Sequence, residues 1–214
     1  MKVGILGTGM VGATLGSKLI QIGHEVKMGS RSANNEKAIE WAKQNGANAS
    51  FGTFADAAAF GEIIFNCTAG TVSLAALSSA GASNLKGKVL VDVANPLDFS
   101  KGMPATLSVC NSDSLGEQIQ RAFPNARVVK ALNTMNCRVM VNPSLVSGEH
   151  DVFVCGNDSQ AKAKVVEILK SFGWQSIIDL GDITASRGTE MVLPIWLRLW
   201  SLYQNHDFNF RIAR

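Results

Sequence analysis

The stretch that decides the fold lies at residues 3–12 and reads VGILGTGMVG. Its apolar start, residues 3–6, predicts a short buried strand, and a GxGxxG pattern of glycines follows directly. Residues 11–22 then have the apolar spacing of a helix, and residues 25–29 predict a second strand. A glycine-rich turn between the first strand and the helix of such a unit is the fingerprint of a dinucleotide-binding fold.

The three glycines of this loop each meet a different physical requirement. Gly7 permits a tight turn after the strand, Gly9 lets the backbone approach a pyrophosphate, and Gly12 lets the helix pack closely on the strand. The N-terminus of the helix then presents free N–H groups and the positive end of its dipole to phosphates. The alternative is a glycine-rich turn with no ligand, but the strand–helix–strand context favours cofactor binding.

Strand-like and helix-like segments alternate along the following residues. Further strands are predicted at residues 62–66, 88–93 and 127–132, and helices at residues 35–45, after Thr53, and from Ser114 to residue 123. This alternation predicts an α/β fold of the Rossmann type, with a doubly wound, mainly parallel sheet covered by helices on both faces. Residues 95–109 are the one long irregular connection, and we expect them to lie at a functional edge of the sheet.

The end of the second predicted strand indicates which dinucleotide is bound. Many NAD-binding folds have Asp or Glu there to bind the ribose hydroxyls, whereas this chain has Gly29, Ser30 and Arg31. A carboxylate would repel a 2′-phosphate, but a hydroxyl can donate to it and a guanidinium can pair with it. Ser32 and Lys37 are further candidates for that contact. The turn therefore predicts NADP(H) rather than NAD, the alternative being a solvated polar turn.

The last third of the chain continues the alternation with weaker patterns. Strands are predicted at residues 151–155 and 175–180, with helices at residues 159–172 and 184–203. Pro194 lies inside the last helical segment and should kink or split it. We therefore expect an NADP-binding Rossmann domain at residues 1–142 and a small C-terminal α/β domain at residues 143–214 that packs on it.

Three later strand ends are candidates for the chemistry, because ligands of such sheets bind beyond the carboxyl ends of the strands. These ends are small, polar and rich in amides: Asn66-Cys67-Thr68-Ala69-Gly70, Val93-Ala94-Asn95-Pro96 and Ala131-Leu132-Asn133-Thr134-Met135-Asn136. Such segments can hold a carboxamide and border a flat ring, and they contain no Ser–His–Asp set and no paired carboxylates. The residues assigned to the cofactor site here are Cys67, Thr68, Ala69, Asn95 and Pro96.

Lys130 is the nearest candidate proton donor, one residue before a strand end. Reduction of a ketone or an imine normally requires such an acid, whereas hydride transfer between two flat carriers needs aligned rings more than it needs a proton. We interpret Lys130 as a strand-edge lysine whose ammonium lies in water. Its replacement should therefore barely affect a direct hydride exchange. Cys67 is interpreted as a small apolar residue rather than a reactive thiol.

These features together resemble the NADP oxidoreductases that use the deazaflavin coenzyme F420. The similarity rests on the GTGMVG loop, the Gly29-Ser30-Arg31 turn, the strand ending in Asn95-Pro96, and the segment Lys130-Ala131-Leu132-Asn133-Thr134, and it covers the full length of the chain. The nucleotide-binding part is also similar to those of pyrroline-5-carboxylate reductase and of eukaryotic metalloreductases.

The resemblance implies hydride exchange between NADPH and a deazaflavin stacked on its nicotinamide. It implies that Ser30 and Arg31 bind the 2′-phosphate, that the backbone near Asn133 and Thr134 borders the stacked rings, and that the pyrophosphate contacts are made by Thr8, Met10 and Val11. The identity of the acceptor stays open, and a flavin, a quinone-like molecule or a metal chelate could replace the deazaflavin.

Composition excludes several other classes of protein. Hydrophobic residues make up 46% of the 214 residues and the net charge is +3 with scattered basic residues, so neither nucleic acid nor a membrane surface is an expected partner. Residues 191–200 are the longest apolar stretch near the C-terminus, and they are too short to span a bilayer. The cysteines are Cys67, Cys110, Cys137 and Cys155, and they form neither a CxxC pair nor a cluster with histidine, so we expect no metal site. Scattered thiols of this kind are typical of a reducing compartment, so we expect a cytoplasmic location.

Three functions remain open at this point. The first is a reductase that passes a hydride between NADPH and a flat acceptor, the second a small imine or carbonyl reductase, and the third an NADP(H)-sensing protein without catalytic activity. The aromatic residues near the C-terminus favour core packing or the face of a homodimer, and a sharper hypothesis has Arg187 or Trp196 lining the acceptor pocket. The expected partners are a small-molecule redox acceptor and a second copy of the chain.

Overall fold

A computed structural model describes residues 1–213 and contains one central eight-stranded sheet. Residues 1–213 form ten strands, of which all but β6 and β7 belong to this sheet: β1 (Lys2–Leu6), β2 (Glu25–Ser30), β3 (Ala49–Thr53), β4 (Ile63–Asn66), β5 (Val89–Asp92), β6 (Leu97–Asp98), β7 (Thr106–Leu107), β8 (Arg127–Ala131), β9 (Asp151–Gly156) and β10 (Ser176–Asp179). Their order across the sheet is β3-β2-β1-β4-β5-β8-β9-β10, and all neighbours are parallel except β8 and β9. The predicted Rossmann-type, mainly parallel sheet is confirmed.

Helices cover both faces of this sheet. They are α1 (Met10–Gln21), α2 (Glu36–Asn45), α3 (Phe54–Phe60), α4 (Gly70–Ala80), α5 (Ala82–Leu85), α6 (Leu115–Ala122), α7 (Cys137–Val141), α8 (Ser159–Ser171), α9 (Ser186–Met191) and α10 (Leu193–Tyr203). Successive residues of β5 point to opposite faces, so that Val89 and Val91 join one apolar core with α1, α2, α7 and α8, and Leu90 joins a second core with α3 to α6. The apolar runs at residues 63–65 of β4 and 89–91 of β5 reflect this burial on both sides.

The structure adds elements that the patterns did not predict. Strand β3 closes one edge of the sheet, and its sequence ASFGT is too short and too polar to predict a strand. Helix α4 consists mainly of small residues with little apolar periodicity. Part of the 95–109 connection forms a hairpin, because β6 and β7 pair in antiparallel register. The break expected at Pro194 is confirmed, since α9 ends at Met191 and α10 starts at Leu193.

A third apolar cluster positions the C-terminal part over the sheet edge. Leu193, Trp196 and Leu197 of α10 pack with Ala105 and with partly buried residues of the hairpin and the C-terminal tail. Strands β9 and β10 belong to the same sheet as the N-terminal strands, and the division at residue 142 stays a prediction. Within residues 1–213, no helix has both the length and the apolar character needed to cross a membrane.

Candidate functional site

The glycine loop connects β1 to α1 at the carboxyl edge of the sheet. Gly7 has a positive φ of 121°, and its N–H donates to the carbonyl of Gly29 at 3.0 Å. A Cβ on Gly12 would lie 2.2 Å from the carbonyl oxygen of Gly7, so only glycine lets the helix approach the turn this closely. A Cβ on Gly9, by contrast, would have no atom of residues 1–213 within 4 Å. The loop therefore keeps open space above Gly9.

Helix α1 begins at this open space without a side-chain cap. Gly9 is its N-cap residue, and the first turn contains no acidic side chain. The first N–H groups of the helix therefore have no side-chain partner, and the positive end of the helix dipole adds to their attraction for an anion. This geometry can bind a pyrophosphate.

Two cavities meet at the start of α1. One has a volume of about 530 Å³, extends toward α2, and includes Thr8, Gly9 and Lys37 in its lining. The other has a volume of about 470 Å³ and extends toward the ends of β4, β5 and β8. Met10 lines both cavities and is 70% exposed. A molecule that crosses the helix N-terminus can therefore place one half in each cavity.

The end of β2 lies next to the glycine loop, but Ser30 and Arg31 line neither cavity. Ser30 is buried, and its hydroxyl donates to the carbonyl of Ser32 at 2.5 Å, which closes a tight turn. Arg31 and Lys37 are both exposed. Arg31 has no ion pair with any residue in the described part of the chain, so its guanidinium can pair with an added anion.

Most of the other predicted cofactor residues lie together around the second cavity. Its lining includes Met10, Val11, Cys67, Thr68, Ala69 and Asn95. Pro96 is buried beside this cavity, where its carbonyl accepts from the N–H of Ser108 at 2.8 Å. Burial, and then the nearby Asp92, raise the pKa of the Cys67 thiol, which therefore stays protonated.

A buried polar network lies beneath the wall formed by Thr68. The Thr68 hydroxyl donates to Oδ1 of Asn66 at 2.7 Å, and the Asn66 amide donates to Ser73 at 3.1 Å and to Oδ1 of Asp92 at 2.8 Å. Asn66, Ser73 and Asp92 are fully buried. The network fixes the Thr68 side chain at the end of β4.

The network continues from Asp92 to Lys130, where the sequence-based interpretation was wrong. Lys130 is 1% exposed, and its ammonium lies 2.8 Å from Oδ2 of Asp92 and 2.8 Å from Oε1 of Glu190. Burial lowers the pKa of Lys130, but the two carboxylates outweigh that effect and the pKa is raised. The carboxylates of Asp92 and Glu190 therefore do meet at a strand end, where the sequence indicated no such pair. Lys130 itself is not among the residues that line the cavity.

Asn133 and Thr134 lie behind the cavity wall rather than on it. Both are buried and neither belongs to the lining of the cavity. The amide of Asn133 donates to Oδ1 of Asn95 at 2.9 Å and to the carbonyl of Thr189 at 3.0 Å, and the amide of Asn95 donates back to the Asn133 carbonyl at 2.7 Å. Asn95 is therefore the member of this amide pair that reaches the cavity.

Trp196 covers the second cavity from α10. It lines the cavity, is 9% exposed, and stacks on Phe208 of the tail with a centroid distance of 5.2 Å. Its Nε1–H is buried without a hydrogen-bond partner among residues 1–213. Arg187 is elsewhere, because its Nε donates to Oε2 of Glu117 at 2.8 Å and it does not line the cavity. Of the two hypothesised pocket residues, only Trp196 reaches it.

Sequence reasoning did not single out several residues of the lining. These are Leu97, Asp98 and Phe99 of the hairpin region, and Cys137 and Met140 of α7. Residues 97–99 belong to the 95–109 connection that was expected at a functional edge, whereas the only sequence signal of Cys137 and Met140 is their position after the end of β8. Among residues 1–213, no group of three His, Cys, Asp or Glu side chains could hold a metal ion.

Comparisons with known proteins agree with this architecture. Residues 2–96 match the model of the family described as NADP oxidoreductase, coenzyme F420-dependent. A crystal structure from Arthrobacter sp. FB24, provisionally named an F420-dependent NADP reductase, is 53% identical, with full coverage of both chains and a TM-score of 0.96. The F420-dependent NADP reductase of Methanocaldococcus jannaschii is 28% identical over 222 residues, covering 100% of this chain and 98% of that protein.

A third relative is the metalloreductase STEAP3 of Rattus norvegicus, which is 30% identical over 91% of this chain. The match spans only 38% of the length of STEAP3, which is therefore a much longer protein. The relative at 53% identity, covered over its full length, establishes the family, and the match of residues 2–96 to the family model agrees with it. The chain belongs to the coenzyme F420-dependent NADP oxidoreductases and is an NADP-dependent reductase.

Proposed function

We propose that this NADP-dependent reductase transfers a hydride between NADPH and a flat redox acceptor, a deazaflavin of the coenzyme F420 type or a flavin-like molecule. The observation that carries the proposal is the second cavity, which starts at the N-terminus of α1 and ends under Trp196. Its volume of about 470 Å³ lies within the range of cavities that hold small organic ligands. Among residues 1–213, no His, Lys or Tyr side chain lines it, and the backbone N–H of Ser100 holds the pKa of the lining carboxyl of Asp98 below its ordinary value, so that Asp98 is ionised at neutral pH and is a poor proton donor.

The same geometry supports the assignment of the cofactor residues. The open space at Gly9 and the uncapped start of α1 suit a pyrophosphate, with Gly7 and Gly12 shaping the turn around it. The exposed Arg31 suits a 2′-phosphate at the end of β2, whereas the Ser30 hydroxyl could donate to that phosphate only by giving up its bond to the Ser32 carbonyl. The adenosine half would then lie in the first cavity, next to Lys37.

The nicotinamide half would lie in the second cavity, within the reach of five predicted residues. These are Val11, Cys67, Thr68, Ala69 and Asn95. Bound NADPH supplies the hydride, and the residues of the chain orient the rings and exclude water. Thr68 and Asn95 offer a hydroxyl and an amide of fixed orientation to a carboxamide, because each is held by buried partners. Trp196 and Phe99 provide flat apolar surface for the acceptor ring.

Reduction of an imine or a carbonyl is the alternative, and Lys130 argues against it. Such a reaction needs a side chain that delivers a proton to the substrate. The ammonium of Lys130 is enclosed by Asp92, Glu190 and the carbonyl of Ala94, and it does not line the cavity. The sensor hypothesis is set aside by the family, whose members are named reductases.

A homodimer would use an exposed apolar face of α10. Ile195, Leu202 and Tyr203 are 54%, 71% and 58% exposed on this helix. Apolar residues clustered at a surface are typical of contact sites between proteins. Light scattering of the purified protein, with Leu202→Glu as the variant expected to dissociate it, tests this prediction.

Titration with NADPH and NADH, followed by addition of acceptors to the NADPH complex, tests the proposed function. We expect NADPH to bind more tightly than NADH by roughly 10- to 100-fold, the value of one or two charge-assisted hydrogen bonds. We expect deazaflavin or free flavin to oxidise bound NADPH at a rate that saturates with acceptor. Saturable turnover of only a cyclic imine or a ketone would replace the proposal with the alternative. A lack of turnover with all of these acceptors would refute the proposed acceptor class.

A further inference from the structure

The buried charges beneath the second cavity have no direct part in the proposed hydride transfer, and they centre on Lys130. An ammonium carries three N–H donors, and all three have acceptors here: Oδ2 of Asp92 at 2.8 Å, Oε1 of Glu190 at 2.8 Å, and the carbonyl of Ala94 at 2.5 Å. The side chains of Lys130 and Asp92 are fully buried, and that of Glu190 is 1% exposed. Lys130 therefore has no donor left for a substrate.

Two of the residues that accept from Lys130 are chain neighbours of residues that form or hold the Asn95–Asn133 amide pair. Ala94 immediately precedes Asn95, which reaches the cavity. Glu190 immediately follows Thr189, whose carbonyl accepts from the Asn133 amide at 3.0 Å. The ammonium thus holds β5 and α9 at the positions from which the amide pair is built.

Glu190 adds a second tie to this arrangement. Its carboxylate also accepts from the backbone N–H groups of Leu115 and Gly116 at 2.9 and 3.0 Å. These groups lie at the start of α6, where the helix dipole favours negative charge. The negative charge of Glu190 is therefore balanced in part by the N-terminus of α6. Through this carboxylate, α6, α9 and β8 meet at one buried point.

We propose that Lys130 is a positioning residue that fixes the Asn95–Asn133 amide pair, and through it the nicotinamide side of the cavity. This inference rests on the proposed function for the role of that wall. A buried ion pair can often be replaced by apolar residues without loss of stability, so stability alone does not account for three charges beneath an active-site wall. Charged hydrogen bonds are directional, and they define the relative positions of β5, β8 and α9 more sharply than apolar contacts do.

The test compares Lys130→Met, Asn133→Ala and the double variant in the full chain. Because Lys130 is buried rather than in water, its replacement should slow hydride exchange, contrary to the expectation from the sequence. We expect each single variant to bind NADPH within about 2-fold of the wild type and to lower the single-turnover rate of hydride transfer by roughly 10- to 100-fold, the effect of displacing a reacting ring by a fraction of an ångström to an ångström. Because both changes would act through one amide pair, the double variant should be no slower than the slower single variant. Lys88→Met is the matched control, since Lys88 precedes β5 at the opposite edge of the sheet.

A second readout does not depend on the acceptor. The fluorescence of bound NADPH reports the surroundings of the nicotinamide, and we expect Lys130→Met and Asn133→Ala to change it in the same way while Lys88→Met does not. If none of the tested acceptors oxidises the NADPH that is bound to the wild type, the proposed function fails. The fluorescence comparison still tests the role of Lys130 in that case. If Lys130→Met does not fold, Glu190→Gln takes its place with the same expectations. Unchanged fluorescence and rate in the folded variant, or additive losses in the double variant, would overturn the inference.

Discussion

The ammonium of Lys130 on β8 lies 2.8 Å from the carboxylate of Glu190 on α9, and this contact ties the C-terminal helices to the nucleotide-binding sheet. Removing one partner of a buried ion pair leaves the others charged and unpaired. We expect Lys130→Met to lower the free energy of unfolding by about 3–5 kcal/mol. Urea denaturation measures this loss, and Lys88→Met, which removes only bonds to backbone carbonyls, should cost about 1 kcal/mol. Equal losses for the two lysines would contradict the prediction.

The same contact predicts how stability depends on alkaline pH. The folded-state pKa of Lys130 is raised above its ordinary value of 10.5 by Asp92 and Glu190. A raised lysine pKa stabilises the fold at every pH below the unfolded-state value, and the contribution is lost as the pH rises through the folded-state value. The stability difference between wild type and Lys130→Met should therefore be constant from neutral pH to about pH 10 and shrink above it. Denaturation at a series of pH values checks this profile.

The glycine loop offers a matched pair of substitutions. Gly9→Ala places a methyl group where no atom lies within 4 Å, so the fold should be retained, with a change in unfolding free energy of about 1 kcal/mol or less. That methyl group would enter the proposed pyrophosphate site, and NADPH affinity should fall at least roughly 10-fold. Gly12→Ala places its Cβ 2.2 Å from the Gly7 carbonyl and should cost about 1–3 kcal/mol of stability. Unchanged NADPH binding by Gly9→Ala would show that the pyrophosphate lies elsewhere.

The exposed Arg31 should set the preference between the two dinucleotides. Arg31→Ala should weaken NADPH binding by roughly 10-fold, since it removes a charged partner of the 2′-phosphate, and leave NADH binding unchanged. Fluorescence titration measures both affinities. Arg127→Ala is the control, because Arg127 is also exposed but lies at the start of β8, at the opposite edge of the sheet. A parallel loss of NADH affinity would mean that Arg31 supports the fold of the turn instead.

The pair formed by Glu117 and Arg187 predicts a loss of stability in acid. The hydrogen bond from Arg187, opposed by burial and aided by Ser114, holds the pKa of Glu117 below its ordinary value of 4.5. A depressed carboxyl pKa stabilises the fold above the unfolded-state value, and the contribution disappears as the pH falls through the folded-state value. Glu117→Gln should therefore have a lower free energy of unfolding than the wild type at pH 7. The difference in unfolding free energy between the two proteins should narrow below about pH 4.5. Urea denaturation at pH 7 and pH 4 tests this, and an equal difference at both values would refute it.

Trp196 can be tested through its unpaired N–H group. Trp196→Phe removes a buried donor that has no partner in residues 1–213, and the unfolding free energy should change by about 1 kcal/mol or less. Trp196→Ala also removes the stacked ring and should cost about 3–5 kcal/mol. If the ring covers the acceptor, the KM for the acceptor should rise more in Trp196→Ala than in Trp196→Phe. A KM unchanged in both variants would place the acceptor away from α10.

The local patterns predicted the parts of the site that are close together in sequence. The turn at Gly7 and Gly12, the start of α1, and the Ser30–Arg31 end of β2 all follow from a single strand–helix–strand unit. Residues at later strand ends, such as Thr68 and Asn95, could be grouped because parallel strands end at one edge. Strand β3 escaped prediction because an edge strand with a glycine and a serine has little apolar signal.

The sequence by itself therefore determined the Rossmann-type sheet and the dinucleotide-binding loop, because hydrophobic period and glycine spacing act within a few residues of each other. Only the tertiary structure decided the state of Lys130 and the wall that Trp196 completes. Whether a lysine lies in water or in the core depends on whether carboxylates from distant segments arrive to balance its charge. Asp92 and Glu190 come from β5 and α9, and no local pattern around Lys130 encodes their approach.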